Sequence, residues 1–456
     1  MAQEEQRSYQ DEYLEIVRDL DGDVEGRAAA DAYLRHTSIY VEGRGLRYAT
    51  NAIVYDEREF EILNNAAHVM GSIMEKVMAK YQRDRNFRTL FELPPAVEEL
   101  TLVPSGCHAA VPLSRIDMFF DRATGDFRIV DIVTGAIDGI AMNNQVNRAV
   151  RNTNAYRRFA EKHPNVASLD AAESCALSIL HTYGKWANAS EGRNHPTRPS
   201  LAVVDVAGSP RTAATRTVIE RLRDMGCLAR ATDFSKLRIV NVAGIQQLVD
   251  DEGPVTCVWL RATIDEAVAH MDKGMRVLAD ATRHGLVCTV GGYRSWPCCT
   301  RAFLSVLHSK ECRSLLTYSE SAFVRAHVPQ MHMITPAADI SRFYNQEKWV
   351  LKTADGHLPG SVVVGADVPR AVWRQMLVKG IKRRDAVQAY IDRSPVTVVT
   401  ADEDGSSVED EMNLVTGLYV FESKLCGIRT TSGKAPNNVG WDERLEMCSL
   451  VVHDEE

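Results

Sequence analysis

Two segments of this chain place residue types that could hold an anion. In KWVLKTADGHLPGSVVVG, residues 348 to 365, Lys352 leaves an apolar run just before the Gly-containing stretch from Gly356 to Gly360. A lysine beside a flexible glycine loop suits phosphate, because the ammonium supplies a point charge and the loop amides can close over anionic oxygens. In LSRIDMFFDRATGDFRIVDIVTGAIDG, residues 113 to 139, two short strands joined by a Gly-containing turn bring Asp117 and Asp131 to facing inward positions, with Arg115 two residues before the first. Each segment alone admits a plainer reading. Lys352 could be a surface lysine at a hairpin end, and Asp117 and Asp131 could sit on a solvated hairpin with Arg115 as an ordinary surface partner worth little energetically.

The elements that must position these residues follow from the rest of the chain. Its 456 residues, 45% of them hydrophobic, suffice for large cores and for two or three domains. Fifty-three basic against 61 acidic residues give a net charge of −8. With no dense basic stripe read along the chain, neither a nucleic-acid nor an anionic-membrane surface is expected, and an anionic ligand needs a local site. The first residues are acidic and amphipathic, and no run approaches the roughly 18 apolar residues of a membrane span, so a cytoplasmic location is expected. The ten cysteines are scattered; Cys298 and Cys299 lack a second pair at zinc-finger spacing, and the thiols are read as reduced and mostly buried.

Residues 9–36 and 57–86 repeat apolar positions at three- and four-residue intervals, and FELPPAVEEL starts a further helix with proline in its first turn. The N-terminal part is therefore expected to be helical, carrying the hairpin of residues 113–139. A helix over 172–187 runs into the polar NASEGRNHPTRPS, which marks a first boundary near residue 198. Beyond it, LAVVDV, CLARATD and VTCVWLRA alternate with amphipathic helices, the pattern of a parallel, Rossmann-like sheet over 199–297. The turn DVAGSPRT has only Gly208, so it lacks the dinucleotide fingerprint. Residues 298–456 open with helical TRAFLSVLHSKECRSLLT and continue through KWVLK, the helix around RAVWRQMLVKGI, the strand AVQAYI, and two closing strands, LVTGLYVFESKLCGIRT and RLEMCSLVVHD. Trp259, Trp373, His108 and His332 are expected in the core.

Taken in order, SRID with VDIVTG, VTCVWLRA, TRAFLSVL, KWVLKTADGHLPGSVVVG, AVQAYI and GLYVFESKLCGIR resemble the circularly permuted ATP-grasp ligases typified by the glutathionylspermidine synthetase domain. The resemblance covers roughly residues 100–150 and 199–450. It implies an α+β fold: an ATP-grasp fold in permuted order, a Rossmann-like subdomain and a helical N-terminal part. It further implies an ATP-dependent carboxylate–amine ligase that forms an amide through an acyl-phosphate and releases ADP and phosphate.

Residue by residue, the family's Arg-x-Asp matches Arg115 and Asp117, and its Glu-x-Asn falls on Asp131 and Val133. By resemblance, Asp117 and Asp131 ligate Mg²⁺ and Arg115 attends the acyl-phosphate. Lys352, with the loop Gly356 to Gly360, contacts ATP phosphates, Gln388, Tyr390 and Ile391 form the hinge beside adenine, and Arg301 replaces a family lysine. Val133 cannot ligate, so Thr134, Asn143 or Asn144 are candidate substitutes. The replacements at Val133 and Arg301 leave open a nucleotide-binding protein without turnover, and a further alternative is related chemistry in which the activated acyl group goes to a thiol or carrier protein. The implied partners are a small carboxylate and an amine, with a homodimer open as an assembly.

Overall fold

Six strands pair along the path of one mixed sheet that draws on both ends of the chain. The order is Tyr48–Tyr55, Leu445–Val452, Lys424–Gly433, Ser407–Phe421, Leu113–Phe120 and Phe127–Thr134, with Val396–Ala401 and Val166–Ala167 pairing from the side. The computed structural model describes all residues except 1–7, 40–45, 108, 190–194, 207–210, 337, 355–360, 403–404, 435–443 and 455–456. The strand Tyr48–Tyr55, buried at every position and parallel to its neighbour, was absent from the sequence reading. The expected single strand LVTGLYVFESKLCGIRT is a hairpin instead. Its chain reverses at Glu422 and Ser423, whose φ values of 48° and 63° give the left-handed two-residue turn that matches strand twist.

The helix Glu57–Arg83 begins at a capping box in which Asp56 and Glu59 each accept the other's backbone amide. It lays Leu63, Met70, Met74 and Val77 into the core cluster shared with the sheet. The expected helix 9–36 is broken: Gly22 takes a φ of 75°, and Asp23 caps a second helix, Val24–Leu34, by accepting from Gly26. The amphipathic helix expected after VTCVWLRA, TIDEAVAHMDKGMRVLADATRHG, is also broken, into Ile264–Ala269 and Arg276–Arg283 with a π-helical turn between them.

The middle of the chain forms the expected parallel sheet, ordered Cys288–Val290, Cys257–Leu260, Ser200–Asp205 and Leu228–Asp233. Its inner strands, Ser200–Asp205 and Cys257–Leu260, are nearly continuous apolar runs, as strands covered on both faces require, whereas the edge strand Leu228–Asp233 is half-exposed. A small antiparallel sheet, Arg238–Val242, Ile245–Asp250 and Gly253–Pro254, is an addition that the periodicity did not announce. A fourth sheet orders Met331–Met333, Ala386–Ala389, Trp349–Lys352 and Val362–Val364, all antiparallel. The helix Arg370–Arg383 covers it through Trp373 and Leu377, packed on Leu351 and Val387. Trp259 and Trp373 are fully buried, as expected, and all ten cysteines are free thiols, eight of them buried. His332 is half-buried against Phe343 and Trp349, while His108 lies outside the described residues. Among the described residues no helix is long and apolar enough to cross a membrane.

Candidate functional site

Strand register, rather than any one motif, assembles the site. Asp117 sits directly opposite Asp131 on one side and Gly417 on the other, and Gly417 in turn faces Arg429. Cross-strand neighbours project to the same face, so one row across four strands reads Asp131, Asp117, Gly417, Arg429. Two residues along, Arg115 pairs with Val133 and Tyr419. A Cβ at Gly417 would lie 2.8 Å from Asp117 Oδ1 and 3.1 Å from Arg115 Cδ. The missing side chain makes the room in which the acidic and basic groups meet.

Arg115 and Asp117 are two apart on one strand and therefore share a face. Arg115 donates from Nε to Asp117 Oδ1 at 2.6 Å and from Nη2 to Oδ2 at 2.8 Å. Its Nη1 reaches the Asp138 carbonyl at 3.1 Å and also pairs with the Asp138 carboxylate. Asp138 follows the hairpin, just before Gly139, whose φ of 79° and closeness to the Arg429 guanidinium exclude a side chain there. Burial would raise the Asp138 carboxyl, but Arg115, Arg429 and Arg444 outweigh it and hold it far below the usual carboxylate range. Beneath them, Arg429 and Glu446, each about 3% exposed, form a forked ion pair.

The opposite wall brings two cations to Asp131. Arg301, first residue of the helix Arg301–Val306, donates from Nη1 to Asp131 Oδ2 at 2.8 Å, while the Ile132 amide donates to Oδ1 at 3.0 Å. Burial alone would raise the Asp131 carboxyl; Arg301 and Lys352 overcome it and keep the group below its ordinary value. Lys352, only 6% exposed, donates from Nζ to the Val130 carbonyl at 2.6 Å, across 222 positions of sequence. Burial pushes its ammonium down to about 8, although Asp131 pulls the other way.

These groups line a cavity of about 1110 Å³ between the central sheet, the sheet that carries Trp349–Lys352 and the segment after Cys257–Leu260. Eight arginines and Lys352 line it against six carboxylates, an excess of positive charge inside a chain that is net negative. One end is apolar, walled by Met333, Val350, Val362 and Val364 beside Gln388, Tyr390 and Ile391. Thus Arg115, Asp117, Asp131, Arg301, Lys352, Gln388, Tyr390 and Ile391 all border one cavity, while Gly356 and Gly360 lie outside the described residues. Of the candidate replacements for Val133, Thr134 borders the cavity but donates its hydroxyl to the Ser295 carbonyl at 2.9 Å. Asn143 donates to the Ile428 carbonyl and Asn144 to Asp170, and neither lines the cavity.

Sequence reasoning missed Asp138, Gly417, Arg429 and Arg444. Asp138 and Gly139 lie within the stretch already singled out, and the glycine beside an acid was the available signal. The others become visible only through register.

No protein-family model matches the chain, and no curated protein matches it. Among solved structures, a glutathione synthetase-like effector (GSS30) from Globodera pallida, in apo form, superposes with a TM-score of 0.60 at 12% identity, over 93% of this chain and 96% of that one. D-alanyl-alanine synthetase A from Vibrio cholerae O1 biovar eltor matches over 53% of this chain and 69% of its own, with 11% identity and a TM-score of 0.27. The ATP-grasp ligase PsnB, complexed with minimal precursor, matches over 54% and 89%, with 13% identity and a TM-score of 0.24. Only the first speaks to the fold, and it does so across nearly the whole chain: an α+β, ATP-grasp-like architecture, in keeping with the resemblance drawn from the motifs.

Proposed function

We propose that this chain is an ATP-dependent carboxylate–amine ligase on an ATP-grasp fold of circularly permuted order, making an amide through an acyl-phosphate and releasing ADP and phosphate. One observation carries the reading: Lys352, buried in a net-cationic cavity, reaches the strand that carries Asp131 from a sheet 222 positions away in sequence. A lysine stripped of water and held in such a cavity is a phosphate ligand in waiting. The apolar slot beside Gln388, Tyr390 and Ile391 suits a planar base, which leaves the triphosphate directed at Lys352 and Arg301.

Asp117 and Asp131 suit magnesium by donor type, since this hard cation takes oxygen ligands, commonly one or two carboxylates completed by water and phosphate oxygens rather than a protein cage. No group of three ligand-type side chains gathers among the described residues. Bound there, magnesium would neutralise phosphate oxygens that otherwise repel an incoming carboxylate. The chain's own groups do the rest. Lys352 and Arg301 orient the phosphates, and Arg115, its fork held by Asp117 and its Nη1 by Asp138, sets its positive charge beside the acyl group and the oxyanion formed on amine attack.

The test is ADP release from ATP and Mg²⁺ with pooled carboxylic acids and amines, with products followed by mass. Lys352→Ala should lower ATP affinity at least tenfold in calorimetry; equal affinity would end the reading. A second reading, nucleotide binding without turnover, is favoured by the engagement of both carboxylates with arginines and by apolar Val133. Tight ATP binding with no ADP formed under any pool would select it.

A further inference from the structure

The two carboxylates of the site are neutralised by internal cations, but not equally firmly. Arg115 grips Asp117 with two bonds and is itself anchored on the Asp138 carbonyl and carboxylate. Arg301 arrives from a helix 170 positions away and holds Asp131 through one nitrogen at 2.8 Å. The Arg301 side chain is 12% exposed and that of Asp131 35%, so both are open to the cavity.

A cation approaching Asp131 meets a carboxylate whose Oδ2 is taken by Arg301 and whose Oδ1 accepts the Ile132 amide. A polyphosphate entering the same cavity offers the guanidinium a stronger partner, since charge-assisted forks to phosphate are among the firmest polar contacts. We propose that Arg301 is an exchangeable counter-ion: it occupies Asp131 in the nucleotide-free protein and moves onto phosphate when a nucleotide binds, which frees Asp131 for a divalent cation. The inference rests on the nucleotide-binding reading above and assigns Arg301 a positioning role within it. Because coupling is reciprocal, the ion pair weakens cation binding in the free protein and lends phosphate affinity once broken.

The experiment uses the full chain and Mn²⁺ as a paramagnetic probe of the oxygen-ligand site, titrated without nucleotide and read by electron paramagnetic resonance. Arg301→Met should raise Mn²⁺ affinity about tenfold, within the usual range of coupling effects. Arg301→Lys, which keeps a charge but loses the fork, should fall between this variant and wild type. Asp131→Asn in the Arg301→Met background should cancel the gain. In chelator, with no divalent ion present, Arg301→Met should bind ATP several-fold more weakly than wild type. Circular dichroism confirms that each variant is folded; if Arg301→Met is not, the comparison of Arg301→Lys with wild type decides. Unchanged Mn²⁺ affinity in folded Arg301 variants, with Lys352→Ala still impaired in ATP binding, overturns the exchange and leaves the ligase reading standing. Failure of wild type to bind ATP at all overturns that reading and the exchange with it.

Discussion

The parallel sheet and the central sheet solve burial in opposite ways. In the parallel sheet, the central strands Cys257–Leu260 and most of Ser200–Asp205 are apolar on both faces and pack beneath helices, and the buried Arg230, paired with Asp250, sits on the flanking strand Leu228–Asp233. In the central sheet, the row Asp131, Asp117, Gly417, Arg429 places charge on an interior face, and each ionised group is held by a partner: Asp117 by Arg115 of its own strand, Asp131 by Arg301 of a helix and Arg429 by Glu446 of the next strand. A dry sheet is stabilised by area alone, whereas a charged one is stable only as a matched set, because an unpaired buried charge costs far more than a lost contact.

That contrast can be broken where the match is tightest. Glu446→Gln leaves Arg429 facing a neutral amide in a nearly sealed site, and chemical denaturation should show a loss of about 3–5 kcal/mol. A conservative change in the parallel sheet, such as Val203→Ile or Val258→Ile, should cost less; similar losses in both places would dissolve the distinction.

A smaller effect is expected where the central sheet depends on an absent side chain. In Gly417→Ala the new methyl meets Asp117 Oδ1 and Arg115 Cδ, so the pair must shift. Stability should fall by roughly 1–3 kcal/mol, with turnover reduced more than ATP affinity. Turnover at the wild-type level, with Asp117 undisturbed by crystallography, would refute the need for that gap.

The gentlest probe is pH. Lys352 titrates near 8 in the folded chain against an ordinary 10.5, so between those values the folded state binds fewer protons than the unfolded one. Its contribution to stability therefore rises with pH across that window, and charging it below about 8 removes that gain. Nucleotide affinity runs the other way. Phosphate needs the ammonium, so ATP affinity should fall by up to about tenfold per pH unit above 8, the equivalent of ~1.4 kcal/mol. Lys352→Arg should flatten this profile, since its guanidinium stays charged; an unchanged slope would remove Lys352 from the phosphate site.

Much of the architecture was legible because its signals are local. The parallel strands could be read from apolar continuity, the helix Glu57–Arg83 from its apolar spacing, and the facing of Asp117 and Asp131 from a short hairpin. Where the reading failed, a non-local choice intervened. Tyr48–Tyr55 becomes a strand by pairing with Leu445–Val452, almost 400 positions away, and the hairpin at Glu422 and Ser423 turns without the glycine that would advertise it.

The sequence by itself therefore determined ingredients: the apolar strands of the parallel sheet, the helix Glu57–Arg83, an Arg-x-Asp strand that faces an acid, and a lysine just before a glycine-containing stretch. Only the tertiary structure decided what those ingredients meet. It set Gly417 beside Asp117, Arg301 on Asp131, Lys352 on the Val130 carbonyl, and Asp138 between Arg115 and Arg429. The reason is physical. Periodicity specifies which face of an element is buried, whereas the register between distant strands, which specifies which charges share that face, follows from pairing and packing across the whole chain.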